Sequence, residues 1–221
     1  MCNANEDSVI LHEIEILDRI EVISETINKR FIPLFDSIRA EAEEVYENSY
    51  STLAESYDPD GDFPEQGFAH EQALRDEAYN YHIQHEMKLE FINNTVTWLF
   101  HLFEKDCLMV FGTNDGNKKT SILSELGIAV DSSSSWFKCN TELRLLANVI
   151  KHGKGRSLEQ LEKLNLDIGK HKYGLIANSE VVVSLELLNK YIVEMEFFWG
   201  NYFEQSALLN FDVSLEDGAS L

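Results

Sequence analysis

Cysteine, proline and basic residues are scarce in this chain, and long apolar runs are missing altogether. The three cysteines, Cys2, Cys107 and Cys139, are odd in number and widely spaced, which argues against a disulfide framework or a zinc site. No apolar run approaches the ~20 residues of a membrane span. The first residues also lack the basic and apolar regions of a signal peptide. We therefore expect a cytoplasmic protein without a membrane partner.

Lys and Arg number 18 against 39 Asp and Glu, and the net charge is −21. The imbalance is uneven, because residues 118–172 hold ten of the basic and only six of the acidic residues, a local balance of +4. A strongly acidic surface repels nucleic acid. A phosphate-bearing ligand would therefore bind within residues 118–172. The acidic remainder either confers solubility or docks a basic partner.

Apolar residues recur at helical spacing along most of the chain, and 44% of the residues are hydrophobic. The pattern predicts an all-α fold, an antiparallel helical bundle that forms a single domain over residues 1–221. Within it we expect N-terminal helices over 1–56, a long central helix over 68–109, and the helices that carry the candidate site together with the C-terminal helix over 134–206.

Three local patterns mark element ends in the second half of the chain. Ser157 and Gln160 predict a capping box for a short helix. Residues 181–183 predict a brief extended piece, and Ser184 predicts the N-cap of the last helix. That helix is rich in aromatic residues, which we expect to bury part of a dimer interface or of the core: Phe197, Phe198, Trp199, Tyr202 and Phe203.

The segment over residues 143–155, LRLLANVIKHGKG, carries the main candidate site and predicts an amphipathic helix that a glycine ends. At ~100° per residue its polar side chains share one narrow arc, and its leucine, valine and isoleucine side chains lie opposite. Those polar residues are Arg144, Asn148, Lys151 and His152. Because no acid accompanies the cations, the arc suits a phosphate. The alternative is a solvated helix face whose Lys and His complement the helix dipole.

A second polar group lies in the apolar half of the long helix. Its residues follow the spacing i, i+3, i+7, i+10, which forms one stripe: Asn94, Thr97, His101 and Glu104. Buried polar groups need partners. We expect His101 and Glu104 to face the Arg144–His152 arc, with Glu104 pairing with Arg144 or orienting a histidine. The alternative is an internal hydrogen-bond network that fixes helix register.

Other sites find less support in the sequence. His82, His85 and Glu86 could share a metal, but two histidines three apart do not match the zinc-protease spacing, and further ligands are not evident. We expect a solvated helix face there and no metal or cofactor. The sequence contains no Walker loop, GxGxxG, GxSxG or CxxC motif, so nucleotide-binding, hydride-transfer and serine-hydrolase functions have no support.

An all-helical domain with an Arg–Asn–His helix that ends in a basic, glycine-containing turn resembles the HEPN superfamily. The matching positions are Arg144, Asn148 and His152, and the Arg–His spacing is longer than is usual in that family. The resemblance implies a metal-independent endoribonuclease that acts as a homodimer in bacterial defence, toxin–antitoxin or growth-arrest systems. It covers roughly residues 90–205, and a cognate regulatory protein is a further expected partner.

The expected reaction is attack of a ribose 2′-hydroxyl on the adjacent phosphorus. His152 would remove or return the proton, Arg144 and Lys151 would stabilise the developing charge, and Asn148 would orient the substrate. His101 and Glu104 would support this site. Nearby basic residues are expected to bind RNA: Lys138, Lys154 and Arg156. The alternative function is a non-catalytic acidic interaction subunit, a degenerate HEPN scaffold or an antitoxin-like module.

Overall fold

The computed structural model describes residues 3–56, 66–166, 168–170 and 181–218, and most of them are helical. The α-helices are α1 Asn3–Thr26, α2 Ile38–Glu55, α3 Gln66–Phe111, α4 Gly116–Glu125, α5 Ser135–Phe137, α6 Arg144–His152, α7 Arg156–Lys163 and α8 Leu185–Gly218. A π-helical turn, Ile27–Phe31, and a 3₁₀ turn, Ile32–Phe35, follow α1, and a π-helical segment, Lys138–Leu143, joins α5 to α6. The all-α prediction is confirmed.

A two-residue ladder supplies the strands in the described part of the chain. Strand β1, Gly169–Lys170, pairs antiparallel with β2, Val181–Val182. The short extended piece predicted near Val181 is thus confirmed. Among the described residues, no helix combines the length and the apolar character needed to cross a membrane.

Contacts group the chain into two compact units. The first contains Met1–Glu25, Ile92–His171 and Ser179–Leu221, and the second contains Thr26–Phe91 and Lys172–Asn178. Helix α3 contributes residues to both units. The prediction of a single domain stays a prediction, and each unit is described by itself.

Aromatic side chains form the centre of the first unit. Trp199 of α8 is fully buried and packs against Phe103 and Phe111 of α3, with ring centroids 6.0 and 6.2 Å apart. Trp136 of α5 contacts Phe103 at 5.9 Å and Phe198 of α8 at 5.2 Å. Offset and edge-on ring pairs at these distances add to the energy of burial. Three helices are therefore held together by one aromatic cluster.

The last helix is amphipathic despite its many aromatic residues. Phe198, Trp199 and Phe203 are buried, Tyr202 is half-buried, and Phe197 is 67% exposed. The Ser184 hydroxyl accepts a hydrogen bond from the backbone N–H of Leu187 at 3.1 Å, which confirms the predicted N-cap. Most of the aromatic residues of α8 thus belong to the core of this unit.

A buried ion pair joins α1 to α3. Arg19 Nη2 donates to Asp106 Oδ1 at 2.6 Å, and the Asp106 side chain has no exposed surface. Burial raises the pKa of the Asp106 carboxyl, and the Arg19 guanidinium offsets part of that rise. The second carboxylate oxygen, Oδ2, has no partner among the described residues. The carboxylate therefore depends on one guanidinium.

A buried asparagine satisfies the backbone around β2. Asn93 Nδ2 donates to the Val181 carbonyl at 2.9 Å, and Asn93 Oδ1 accepts from the Val183 N–H at 3.2 Å. The Asn93 side chain is 1% exposed. One amide thus meets two backbone groups on either side of Val182, where buried polar groups need hydrogen bonds. The sequence stripe singled out Asn94, the neighbouring residue, which is exposed.

The capping box predicted at Ser157 and Gln160 is wrong. Helix α7 begins at Arg156, with Gly155 as its N-cap and no side-chain cap among the described residues. Gly155 has a φ of +152°, a conformation that side chains with a Cβ rarely adopt. Its carbonyl accepts from the N–H groups of Leu158 and Glu159. Ser157 therefore lies inside the first turn, where it cannot act as the N-cap.

In the second unit, α2 and the first half of α3 run antiparallel. Near the start of α2, Glu41 accepts from Gln84 of α3 at 3.0 Å. Further along α2, the partners are earlier residues of α3: the Tyr46 hydroxyl lies 2.7 Å from His70 Nδ1, and Ser49 donates to Asp76 at 2.9 Å. Small buried residues line both helices: Ala42, Ala69 and Ala73. Their small side chains allow close packing of the two helices.

We expect Arg19→Ala to lower the free energy of unfolding by about 3 kcal/mol at neutral pH, because the buried Asp106 carboxylate loses the guanidinium that pairs with it. The raised pKa of Asp106 lies above its value in the unfolded chain, so the loss should shrink as the pH falls through that pKa. Urea unfolding at several pH values measures this. Arg39→Ala, which removes an exposed pair with Glu43, should cost at most about 0.5 kcal/mol. Equal losses at all pH values would contradict the explanation.

Adjacent asparagines provide a matched pair for a second prediction. Asn93→Ala removes both hydrogen bonds that the side chain makes to the buried backbone around β2 and should cost about 2 kcal/mol or more. Asn94→Ala changes an exposed side chain and should stay within about 0.5 kcal/mol of the parent. Chemical denaturation followed by circular dichroism compares the two. A similar loss in both variants would show that helix α3, and not the β2 backbone, is affected.

Candidate functional site

The helix that carries the candidate site starts at α5 and continues through the π-helical segment into α6. The Ser134 hydroxyl accepts from the Phe137 N–H at 3.1 Å and caps the start. Gly153, with a φ of +68°, ends α6. The backbone here requires a glycine, because this φ is strained for other residues.

Two carboxylates tie the π-helical segment to α8. Glu194 accepts from Lys138 Nζ and from the Ser135 hydroxyl, both at 2.6 Å. Glu142 Oε2 lies 3.3 Å from Lys190 Nζ and accepts from the Tyr191 hydroxyl at 3.4 Å. The earlier residue of the π-helical segment, Lys138, pairs with the later residue of α8, Glu194, and Glu142 pairs with the earlier Lys190, so the two helices run antiparallel. A π-helical turn shifts the phase of a helix, and here Lys138 and Glu142 of the π-helical segment both face α8.

These anchors change the pKa values of the groups involved. Burial acts to raise the pKa of Glu194, but the hydrogen bonds from Lys138 and Ser135 outweigh it and the pKa is lowered. Burial, together with the neighbouring Glu142, raises the pKa of the Tyr191 hydroxyl well above its usual range. Lys138 was predicted to bind RNA. Its ammonium is already paired with Glu194, so it adds little free positive charge.

With the apolar side of α6 packed, its polar arc faces outward as the sequence predicted. Leu145, Leu146, Ala147 and Val149 are buried. Arg144, Lys151 and His152 are exposed, and Asn148 is half-buried. Among the described residues, none forms a side-chain hydrogen bond or an ion pair with Arg144 or His152. The arc therefore presents a guanidinium and an imidazole that are available to an anion.

Helix α3 contributes a second imidazole to the same surface. His101 Nε2 lies 3.4 Å from Lys151 Nζ, and His101 Nδ1 lies 3.2 Å from Glu104 Oε2. The expectation that the α3 stripe faces the polar arc of α6 is therefore met at His101. Of the two partners foreseen for Glu104, the structure shows the histidine and not Arg144.

This contact chain assigns the imidazole tautomer of His101. A lysine ammonium has only donor hydrogens, so Nε2 must accept, and the ring proton belongs on Nδ1. That N–H then donates to the Glu104 carboxylate. The carboxylate fixes the ring orientation and directs the lone pair of Nε2 toward the Lys151 ammonium at the exposed surface.

The α3 stripe itself is not buried, which corrects the sequence prediction. Asn94, His101 and Glu104 are exposed, and Thr97 is half-buried and donates to the Asn93 carbonyl at 3.2 Å. The apolar side of α3, with Val96, Leu99 and Phe103, faces the core instead. A run that is apolar in composition can still keep one polar face toward water, because only one side of the helix contacts its neighbours.

Two predicted RNA-binding residues lie at the turn between α6 and α7. Lys154 and Arg156 are both exposed. Lys154 and Gly155 line an open cavity of about 960 Å³, which α7 and β1 also border. The cavity wall includes Glu159 and Glu162, so its charge is mixed and does not favour a phosphate. The α6 surface is the better candidate for an anion.

The anchors Glu142 and Glu194, and the bridging Asn93, were missed by sequence reasoning. Each has its partner more than forty residues away in the chain. Glu142 does carry one local signal, because it is an acidic residue within the region of positive balance, next to an apolar helix face. That signal shows the residue type, but the partner follows only from the fold.

Residues 82–86, HIQHE, which hold the histidine pair considered for a metal, belong to the second unit. His82 and His85 are exposed, Glu86 is buried, and the His85 ring stacks on Tyr81 at 5.8 Å. Within the described ranges, no three His, Cys, Asp or Glu side chains are grouped so that they could hold a metal ion.

The thiols of Cys107 and Cys139 are free and buried, and burial raises the pKa of both.

No protein-family model, no curated protein and no solved structure matches this chain. The resemblance to the HEPN superfamily therefore stays a prediction.

Long-range ¹H–¹⁵N NMR of the histidine rings tests the assigned tautomer. We expect neutral His101 to carry its proton on Nδ1, because Nε2 accepts from Lys151 and Glu104 accepts from Nδ1. In Glu104→Ala the preference should weaken, and His82, exposed in the other unit, serves as the reference ring. A dominant Nε2–H form of His101 in the parent protein would overturn the contact chain.

Proposed function

We propose that the surface formed by α6 and the adjoining part of α3 binds the RNA backbone and cleaves it without a metal, in a bacterial defence or toxin–antitoxin system. The observation that carries the proposal is the exposed contact chain Glu104–His101–Lys151, with His152 next to Lys151 in the sequence. A carboxylate-oriented imidazole beside a cation is suited to proton transfer at a phosphate ester.

In the proposed reaction, His101 is the general base. When the Lys151 ammonium turns from Nε2 to the phosphate, the freed lone pair of Nε2 takes the proton of a ribose 2′-hydroxyl, and the imidazolium that forms is stabilised by Glu104. The 2′-oxygen forms a bond to the adjacent phosphorus as the bond from phosphorus to the 5′-oxygen breaks. His152, protonated, gives its proton to the leaving 5′-oxygen, so the products are a 2′,3′-cyclic phosphate and a 5′-hydroxyl. Lys151 stabilises the charge that develops on the phosphorane.

Arg144 lies two helical turns before Lys151, a separation of about 10 Å along the helix axis. One phosphate cannot reach both cations easily, so Arg144 is better placed to hold a neighbouring phosphate of the same strand. Half-buried Asn148 lies between them and can donate to a phosphate or ribose oxygen. The helix face would then set the register of the RNA, and the acidic remainder of the surface would limit binding to this strip.

Two histidines of one chain can supply the base and the acid in this arrangement. The homodimer that the resemblance implies would instead bring a second copy of His152. Dimer formation is therefore part of the family expectation, but the proposed chemistry does not require it. Sedimentation of the purified protein at micromolar concentration distinguishes the two.

Single substitutions test the proposed roles. His101→Ala and His152→Ala should each lower the rate of RNA cleavage about 10²–10⁴-fold, the usual cost of losing a general acid or base. Both side chains are exposed, so the free energy of unfolding should change little. His82→Ala, an exposed histidine in the other unit, is the matched control and should cleave like the parent.

The products and the cofactor requirement provide independent readouts. EDTA should not inhibit, a substrate with 2′-deoxyribose at the cleaved position should resist cleavage, and the cut ends should carry a 2′,3′-cyclic phosphate. Cleavage that persists in both His101→Ala and His152→Ala, or that EDTA abolishes, would refute the mechanism.

A second candidate function is a non-catalytic interaction subunit, and the uneven charge of the chain supports it. Residues outside 118–172 carry a net charge of −25, which is far larger than the net charge that a small domain needs to stay soluble. A purified protein that cuts no RNA under any condition, but binds a basic protein tightly, would favour this function over the nuclease.

A further inference from the structure

A groove between α1 and α8 combines acidic and apolar side chains. Its volume is about 730 Å³, and it lies within the first unit. Asp18 and Glu21 line it from α1, and Glu196 and Glu204 line it from α8. No described residue forms an ion pair with these four carboxylates. The groove therefore holds a concentrated negative charge that the described chain does not neutralise.

Apolar surface accompanies this charge. Phe197 lines the groove with 67% of its surface exposed, and Leu17 on the opposite wall is half-buried. Large exposed aromatic side chains are common at the centre of protein interfaces. An acidic groove of this kind is unsuited to nucleic acid, whose phosphates the carboxylates would repel.

A glycine in the middle of α8 is a separate observation. Gly200 lies between Glu196 and Glu204 in the sequence and lines the groove. A Cβ at this position would have no heavy atom of the chain within 4 Å beyond its neighbours and the helix backbone, so packing within the protein does not require a glycine here. A helix-interior glycine costs about 1 kcal/mol relative to alanine. Close approach of another backbone would account for it.

We propose that this groove docks a basic amphipathic helix of a partner protein. Lysine or arginine side chains of that helix would pair with Asp18, Glu21, Glu196 and Glu204, and its apolar face would cover Phe197 above the open Gly200 position. From Glu196 to Glu204 the groove spans about 12 Å, or roughly two helical turns. A second copy of this chain is a poor occupant, because its net charge of −21 adds repulsion.

The probe for the experiment is a synthetic peptide of about five helical turns, with leucine on one face and lysine on the other. A peptide of the same composition in scrambled order and a leucine–glutamate peptide are its controls. Fluorescence anisotropy at physiological ionic strength should show saturable binding of the amphipathic basic peptide, with at least about tenfold weaker binding of the scrambled one. Equal affinity of the two basic peptides would overturn the proposal.

Variants of the protein locate the binding. Glu196→Lys/Glu204→Lys should weaken peptide binding about tenfold or more. The matched control, Glu44→Lys/Glu47→Lys, reverses two exposed carboxylates on α2 with the same change in net charge and should weaken it less than about threefold. An equal loss in the two double variants would mean that binding follows net charge alone, and the groove proposal would fall.

Substitution of Gly200 fills the groove without changing its charge, so it tests how far peptide binding depends on the shape of the groove. Gly200→Leu should reduce peptide binding about tenfold with unchanged net charge, and Gly200→Ala should raise the thermal midpoint because alanine favours helix. A cooperative thermal unfolding transition in Gly200→Leu would show that this variant is folded. If Gly200→Leu does not fold, an intermediate loss of peptide binding in Gly200→Ala tests the same point. Unchanged binding in both variants would contradict the proposal. A parent dimer that Gly200→Leu makes monomeric would assign the groove to self-association instead.

Discussion

Burial of the aromatic side chains of α8 is the interaction on which the rest of the first unit depends. Trp199 packs against Phe103 and Phe111 of α3, and Trp136 packs against Phe103 and Phe198. Large rings contribute much of the apolar area in a core of this kind. Because these contacts fix α8, the carboxylate and the ammonium that α8 carries can hold the π-helical segment, and α6 then presents its polar arc to solvent.

Polar side chains in the described structure fall into two groups with different roles. The buried ones have partners that hold elements together, as Asn93 does at the β2 backbone, Asp106 with Arg19, and Glu142 with Tyr191. The exposed ones on α6 include Arg144, which no described residue neutralises. A stable fold needs the first group. The second group contributes little to folding, so it is the better place to look for function.

Sequence reasoning succeeded where a single helix decides the outcome. The periodicity of α6 placed its arginine, lysine and histidine on one face, and the glycine at 153 ended it. It failed at the α3 stripe, because the composition of the neighbouring residues suggested burial, while burial depends on which side of α3 meets α5 and α8. It failed again at Ser157, because the unusual φ of Gly155 places the N-cap of the helix two residues earlier, at Gly155.

The sequence by itself determined the helical class, the outward polar arc of α6 and the segregation of charge, since these follow from local periodicity and composition. Only the tertiary structure decided that His101 contacts Lys151, that Glu194 neutralises Lys138, and that α1 and α8 enclose an acidic groove. Each of these contacts joins residues more than forty positions apart. A one-dimensional pattern gives the face on which a side chain lies, but its partner depends on how the helices pack.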